Sequence, residues 1–146
     1  MRYRTNDAVI DIPDDWHDQT LHIFSSEQPG KAGYTIVITS EQLDRVADGA
    51  GYRDMALQRL PKELPGFSLV KELATVIMST LPCYVLEYTW NSPNGVMHHF
   101  QALFATKQSQ RLLKGYSITM SIPEDLFHPD LELLFARTIR SYTFDQ

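Results

Sequence analysis

The sequence is poor in cysteine and in long apolar runs, and each shortage excludes a class of protein. Its one cysteine, Cys83, cannot form an internal disulfide, so a disulfide-stapled secreted scaffold is excluded. No run approaches the roughly 18 apolar residues of a transmembrane helix, and no apolar stretch follows the basic start of the chain. We therefore expect no signal peptide, no insertion into a membrane and a cytoplasmic location.

Clustered positive charge is also missing. The net charge is −5 and no long basic run occurs, whereas binding to nucleic acid or to an anionic membrane surface needs grouped Lys and Arg. Nucleic acid is therefore excluded as the main partner, and a protein partner is favoured. The 146 residues, 43% hydrophobic and 21% charged, are ordinary for one globular domain with its own core, which we place at residues 1–146.

Motifs that carry catalysis are absent as well. There is no nucleophile elbow, zinc-protease helix, P-loop or dinucleotide fingerprint. His98 and His99 come nearest to a metal pair, but neighbouring strand residues point to opposite faces, so the two cannot share an ion. We expect no metal, no cofactor and no enzymatic activity.

What the sequence does contain is a series of alternating strand patterns. They predict an α+β fold in a single domain: a mainly antiparallel, curved sheet with two principal helices, Tyr52–Leu64 and Pro129–Tyr142. Pro61 predicts a kink or restart in the first helix. The polar segment Ser40–Gly51 is predicted to be flexible, and Ser68–Leu73 and Thr75–Thr80 are predicted to be separate strands.

The central strands have two different faces, and neither carries a charged side chain. Alternate residues give a core face of Tyr34, Ile36, Ile38, His98, Phe100, Ala102, Phe104, Tyr116, Ile118 and Met120. The opposite face would carry Lys, Glu and Arg if it met water, but it reads Thr35, Val37, Thr39, Met97, His99, Gln101, Leu103, Ser117, Thr119 and Ser121. Two interpretations stay open: the chain's own helix covers this face, or it is a docking surface for apolar helices.

Four segments together resemble a known family. They are Ile10–Phe24, with the run IDIPDDWHDQ, then Leu64–Phe67 (LPGF), Leu86–Trp90 (LEYTW) and His99–Gln101 (HFQ). The chain is similar in these segments to the Eag (effector-associated) chaperones of bacterial type VI secretion, which have the DcrB-like, PsbP-related α+β fold. The resemblance runs from about Val9 to Pro123.

The resemblance implies a function and its partners. It implies a cytoplasmic homodimer that shields the N-terminal transmembrane helices of a secreted effector with a PAAR domain, often an Rhs toxin, until loading on the VgrG spike. The alternative is a stand-alone PsbP/DcrB-like binding or structural domain without such a client, its second face capped by the helix Tyr52–Leu64. Both Trp16 and Trp90 are expected in the core.

The residues expected to bind the client helix come from the resemblance, with His99 and Thr119 added from the strand pattern. They are Leu21, Ile23, Thr35, Val37, Thr39, Ala56, Leu60, Leu64, Met97, His99, Gln101, Leu103, Ser117 and Thr119.

Overall fold

The computed structural model of the chain describes residues 2–4, 8–15, 21–28, 33–44, 46, 48–107 and 112–144. Trp16 lies outside these ranges. The strands are β1 (Arg2–Arg4), β2 (Val9–Asp11), β3 (His22–Ser25), β4 (Thr35–Leu43), β5 (Ser68–Ile77), β6 (Leu81–Ser92), β7 (Gly95–Lys107) and β8 (Leu113–Pro123), and the helices are α1 (Gly49–Glu63) and α2 (Asp130–Arg140). No helix within these ranges is both long and apolar enough to cross a membrane.

Six of the strands form one antiparallel sheet in the order β3-β4-β8-β7-β6-β5, and β1 pairs with β2 separately. The two long strands β7 and β8 lie in the middle, where they pair over their whole length. The predicted α+β class, with a mainly antiparallel sheet and two helices, is confirmed.

One face of this sheet, which we call the α2 face, carries the main core. Its buried strand residues include Phe100, Phe104 and Met120, and they pack against the apolar stripe of α2, which consists of Leu131, Phe135 and Ile139. The stripe follows the three- and four-residue spacing of a helix that buries one side. Every member of the core face predicted from strand alternation, apart from His98, lies in this cluster or packs against it; His98 is itself buried.

The other face, the α1 face, is covered by α1 over part of its width. Tyr52 and Ala56 of α1 pack on Leu43, Leu86, Tyr88, Leu103 and Leu113. Gly115 permits this approach, because a Cβ atom there would lie 2.9 Å from both the Tyr52 ring and Leu43. The side chain of Asp48 caps α1 by accepting a hydrogen bond of 2.9 Å from the Gly51 amide.

Two predictions about the chain around α1 are partly wrong. Within the segment Ser40–Gly51, which was predicted to be flexible, Ser40–Leu43 belong to β4, which pairs with β8 as far as Leu113, and α1 begins at Gly49. The helix also runs through Pro61 without a restart. Pro61 falls in the last turn, and the Leu64 amide closes the helix by donating to the Leu60 carbonyl, so the proline costs one backbone hydrogen bond near an end.

The two strands predicted on either side of Ala74 are one strand, β5, with a bulge at Val70. The turn that follows uses left-handed backbone at Met78 (φ 48°) and Ser79 (φ 69°). Positive φ at successive residues is typical of tight hairpin turns, but Asn and Gly are its usual signals, so the sequence did not indicate this turn.

Candidate functional site

The uncharged residues predicted on the second sheet face share neighbouring rows of the α1 face. In one row Ile23, Val37, Thr119 and Gln101 lie opposite one another across β3, β4, β8 and β7. In the next row Thr39 lies opposite Ser117, and Ser117 opposite Leu103. Strand alternation therefore placed these side chains on one surface correctly.

Exposure changes steeply across this surface. Leu103 is 1% exposed beneath α1, and Ser117 and His99 are buried beside it. Thr39, Val37, Thr35, Thr119 and Gln101 are half-buried, and at the sheet edge Leu21 and Ile23 are exposed, Ile23 by 64%. We call the half-buried and exposed group Leu21, Ile23, Thr35, Val37, Thr39 and Thr119 the open patch.

Helix α1 forms the inner boundary of the open patch. Ala56 is buried against the sheet, while Leu60 and Leu64 pack at the edge of the same cluster and stay half-buried. The first of the two open interpretations holds for part of this face, because α1 covers Leu103 and the sheet around it. The side toward β3 is left uncovered.

Thr35 and Met97 come together at the end of the sheet, although they are not paired in it. Both line a depression of about 850 Å³ that Ser25, Val96 and Pro123 also border. The depression continues the open patch toward the β6–β7 hairpin.

In the described part of the chain, charge lies at the margins of the α1 face. Two ion pairs join α1 to the sheet, and Glu124 and Asp125 border the depression at the end of the sheet. Arg59 lies 3.4 Å from Glu41, and Arg53 lies 3.9 Å from Glu72. Such half-exposed pairs contribute little to stability.

A chain of side-chain hydrogen bonds crosses the centre of the α1 face. The Trp90 indole Nε1 donates to His99 Nε2 at 3.1 Å, and His99 Nδ1 lies 3.2 Å from the Tyr88 hydroxyl. The Tyr88 hydroxyl donates to Gln101 Oε1 at 2.8 Å, and Gln101 Nε2 donates to Ser117 Oγ at 2.9 Å. Ser117 Oγ lies 3.3 Å from Thr119 Oγ1, so this polar chain of six residues ends in the open patch.

The state of His99 follows from its partners. Burial lowers the pKa of His99 to about 4, and the neighbouring His98 adds to the shift. The ring is therefore neutral near pH 7, with an unprotonated Nε2 that accepts from the indole. Burial likewise raises the pKa of Tyr88, which keeps its hydroxyl protonated as a donor.

Sequence reasoning named four members of the polar chain and missed Tyr88 and Trp90. Trp90 lies on the α1 face opposite Met97, half-buried, where its ring meets His99 edge-on at 5.9 Å. It is therefore part of the wall around the site as well as a packing residue. A donor that pairs across strands cannot be identified before the register of β6 and β7 is known.

His98 and His99 lie on opposite faces, as predicted. His98 Nε2 is 2.7 Å from Glu87 Oε2, and its ring stacks on Phe127 at 3.8 Å. Within the described ranges no group of three His, Cys, Asp or Glu residues could hold a metal ion. Cys83 is fully buried in the main core, and burial raises the pKa of its thiol to about 11.

The six-stranded antiparallel sheet with one helix on each face, and an open patch beside α1, defines the class as an α+β domain. The family model for DcrB matches residues 7–133, so the chain belongs to the DcrB family. This confirms the DcrB-like resemblance of the four sequence segments.

Individual relatives extend this result. The chain is 34% identical over 89 residues to a Pseudomonas aeruginosa protein named Effector EagT6; the match covers 60% of this chain and spans 61% of that protein's length. It agrees with the resemblance to Eag proteins. The fold is shared with the P. aeruginosa protein PA94, of unknown function, over 100% of this chain and 97% of that one (TM-score 0.70, 25% identity). LpqN of Mycobacterium tuberculosis, involved in cell envelope biogenesis, has the same fold (TM-score 0.57, 18% identity, 88% of this chain and 76% of that one).

Proposed function

We propose that the protein is a non-enzymatic chaperone of type VI secretion, which binds the N-terminal transmembrane helices of a PAAR-containing effector in the cytoplasm. The client would be an effector such as an Rhs toxin, shielded until it is loaded on the VgrG spike. The relative named Effector EagT6 supports an effector-associated role. The observation that carries the proposal is the open patch, an uncharged surface next to a helix that covers only part of its sheet face.

The chemistry of the open patch suits a transmembrane helix. Ile23 and Val37 offer apolar contact, and each client side chain of Leu or Ile size that they shelter would contribute about 1.5–3 kcal/mol before association costs. Thr35, Thr39 and Thr119 are small and carry hydroxyls, the combination that lets helices approach each other closely inside membranes. The surface would thus take the place of the neighbouring helix against which the client helix packs inside a membrane.

The proposal includes self-association. A client with several transmembrane helices exposes more apolar surface than one open patch can cover, so two copies with their patches toward one client shield it better than one. We therefore propose a homodimer. Light scattering of the purified protein at tens of micromolar, about the range of typical assays, should give twice the mass of the 16.8 kDa chain. A strict monomer with and without client contradicts this part of the proposal.

Two substitutions of equal exposure test the function. Ile23 in the open patch is 64% exposed and Leu133 on the outer side of α2 is 65% exposed, so aspartate at either position should leave the fold intact. The probe is the tagged N-terminal transmembrane region of the effector encoded beside this protein, co-expressed with each variant. We expect Ile23→Asp to lose the soluble complex, because burying an unpaired carboxylate against the client costs several kcal/mol, and Leu133→Asp to retain it.

The same experiment also distinguishes the proposed chaperone from a stand-alone binding or structural domain. If Ile23→Asp and Leu133→Asp both fold and both retain the client, binding occurs elsewhere. If the unsubstituted protein recovers no client, the chain is better described as a stand-alone binding or structural domain, in which α1 serves only to bury Leu103 and its neighbours.

A further inference from the structure

The polar chain has one possible direction, and Trp90 sets it. An indole nitrogen can only donate, so His99 Nε2 must accept, and the neutral ring then carries its hydrogen on Nδ1. Nδ1 therefore donates to the Tyr88 hydroxyl oxygen, and the hydroxyl hydrogen is left to donate to Gln101. Each bond fixes the donor of the next.

This direction fixes the amide of Gln101. The atom that accepts from Tyr88 at 2.8 Å must be Oε1, so Nε2 faces Ser117 Oγ at 2.9 Å. The oxygen and nitrogen of a glutamine amide are otherwise easily exchanged, and only the network decides between them. Tyr88, His99 and Trp90 thus act as positioning residues for an amide at the edge of the open patch.

Once the amide of Gln101 is fixed, some hydrogens of the polar chain have no acceptor among the described side chains. Nε2 carries two hydrogens, and within the described part of the chain only Ser117 accepts one of them. Ser117 and Thr119 share a single hydrogen bond between two hydroxyls, so one hydroxyl hydrogen also remains. The oxygens of the polar chain each take part in at least one hydrogen bond and keep a further lone pair, but an unpaired donor is the costlier group to bury.

We propose that the polar chain orients Gln101 so that the site presents donors to its client, and that it therefore selects a helix carrying an acceptor oxygen among its apolar side chains. A Ser or Thr hydroxyl, or a carbonyl freed at a proline or glycine, is such an acceptor. This inference rests on the proposed function, and it names which polar group the client helix must carry and where.

Synthetic helices test the selection. Three Lys-flanked peptides of about 20 Leu and Ala residues would differ only at the central position, which is Ala, Ser or O-methylserine. O-methylserine can accept a hydrogen bond but cannot donate one. We expect the unsubstituted protein to bind the Ser and O-methylserine peptides about three- to tenfold more tightly than the Ala peptide, the effect of one hydrogen bond.

Variants of the polar chain separate positioning from packing. Gln101→Met keeps the length of the side chain without the amide donor and leaves only the hydroxyls of Ser117 and Thr119, so the preference for the Ser and O-methylserine peptides should fall strongly. Tyr88→Phe keeps the ring and Gln101 but frees the amide to rotate, so the preference should shrink. Tyr116→Phe, the same change on the α2 face, should keep the full preference.

The position of the hydrogen on His99 in the unliganded protein tests the direction of the polar chain independently of any peptide. Nitrogen-15 NMR should find His99 with its hydrogen on Nδ1 and an unprotonated Nε2, and hydrogen on Nε2 would overturn the direction of the chain. If the unsubstituted protein binds the Ser and Ala peptides equally, donor selection is wrong and the proposed function stands. If it binds no peptide, the proposed function fails and the inference fails with it.

Discussion

The two faces of the six-stranded sheet are each met by one helix, but they are closed to different extents. On the α2 face, the stripe of Leu131, Phe135 and Ile139 lies on a broad apolar cluster of strand residues. On the α1 face, Tyr52 and Ala56 cover one part, and the open patch with Thr35, Thr39 and Thr119 stays uncovered. The chain's own helix explains the lack of charge on the covered part, and the proposed client would explain it on the open patch.

The largest expected effect comes from breaking the α2 face. Phe135 is 2% exposed and stacks on Phe100 with 5.7 Å between ring centres. Phe135→Ala should lower the free energy of unfolding by about 3–5 kcal/mol through lost burial and the cavity left behind. Leu133→Ala, an exposed position of the same helix, should change it by less than about 0.5 kcal/mol. Urea unfolding followed by circular dichroism measures both, and similar losses would mean that α2 does not pack as described.

A second pair of substitutions tests the boundary between the part of the α1 face that α1 covers and the open patch. Leu103→Ala should lower the free energy of unfolding by about 2–5 kcal/mol, since Leu103 is 1% exposed beneath α1. Val37→Ala in the open patch should cost about 1 kcal/mol, because its side chain is half-buried. Equal costs would mean that α1 does not divide this face.

The polar chain makes stability depend on pH. The unfolded pKa of histidine is about 6.5, and burial lowers the pKa of His99 to about 4 in the fold, so between these values the unfolded chain binds more protons. The stability from neutral His99 is full above pH 6.5 and is lost as pH falls toward 4. At about 1.4 kcal/mol per pKa unit the loss is at most about 3–4 kcal/mol.

The matched variant for this pH dependence is His99→Gln. Its stability, measured by urea unfolding between pH 7 and pH 4, should fall less steeply than that of the unsubstituted protein, because the titrating ring is absent. Parallel pH curves for the two proteins would contradict a buried, neutral His99.

The smallest expected effect is that of Thr119→Ser. This change keeps the hydroxyl that ends the polar chain and removes one half-buried methyl group. Both stability and client binding should stay within about 1 kcal/mol of the unsubstituted protein. A strong loss of binding would mean that the methyl group, and not the hydroxyl, contacts the client.

Strand alternation was enough to predict which residues share a face, because the period of two does not depend on the partner strand. Val37, Thr119 and Gln101 were placed together in this way before any register was known. The spacing of the apolar residues also predicted the amphipathic stripe of α2. These parts of the fold and the candidate site are local properties of the chain.

Features set by pairing could not be predicted in the same way. Ser40–Gln42 reads as a polar loop, and it is a strand only because β8 continues beside it. The bond from Trp90 to His99 depends on the register of β6 against β7, and the burial of Leu103 depends on where α1 lies. Sequence could therefore indicate an uncharged face, but it could not tell which part α1 covers.

Hydrogen–deuterium exchange with and without the client's transmembrane region tests the central claim most directly. We predict slower amide exchange on binding in β3 and β4, the strands that carry Ile23 and Val37, and unchanged exchange in α2. Protection confined to α2 or β5, or no protection anywhere in a complex that forms, would contradict the claim that the open patch holds the client helix.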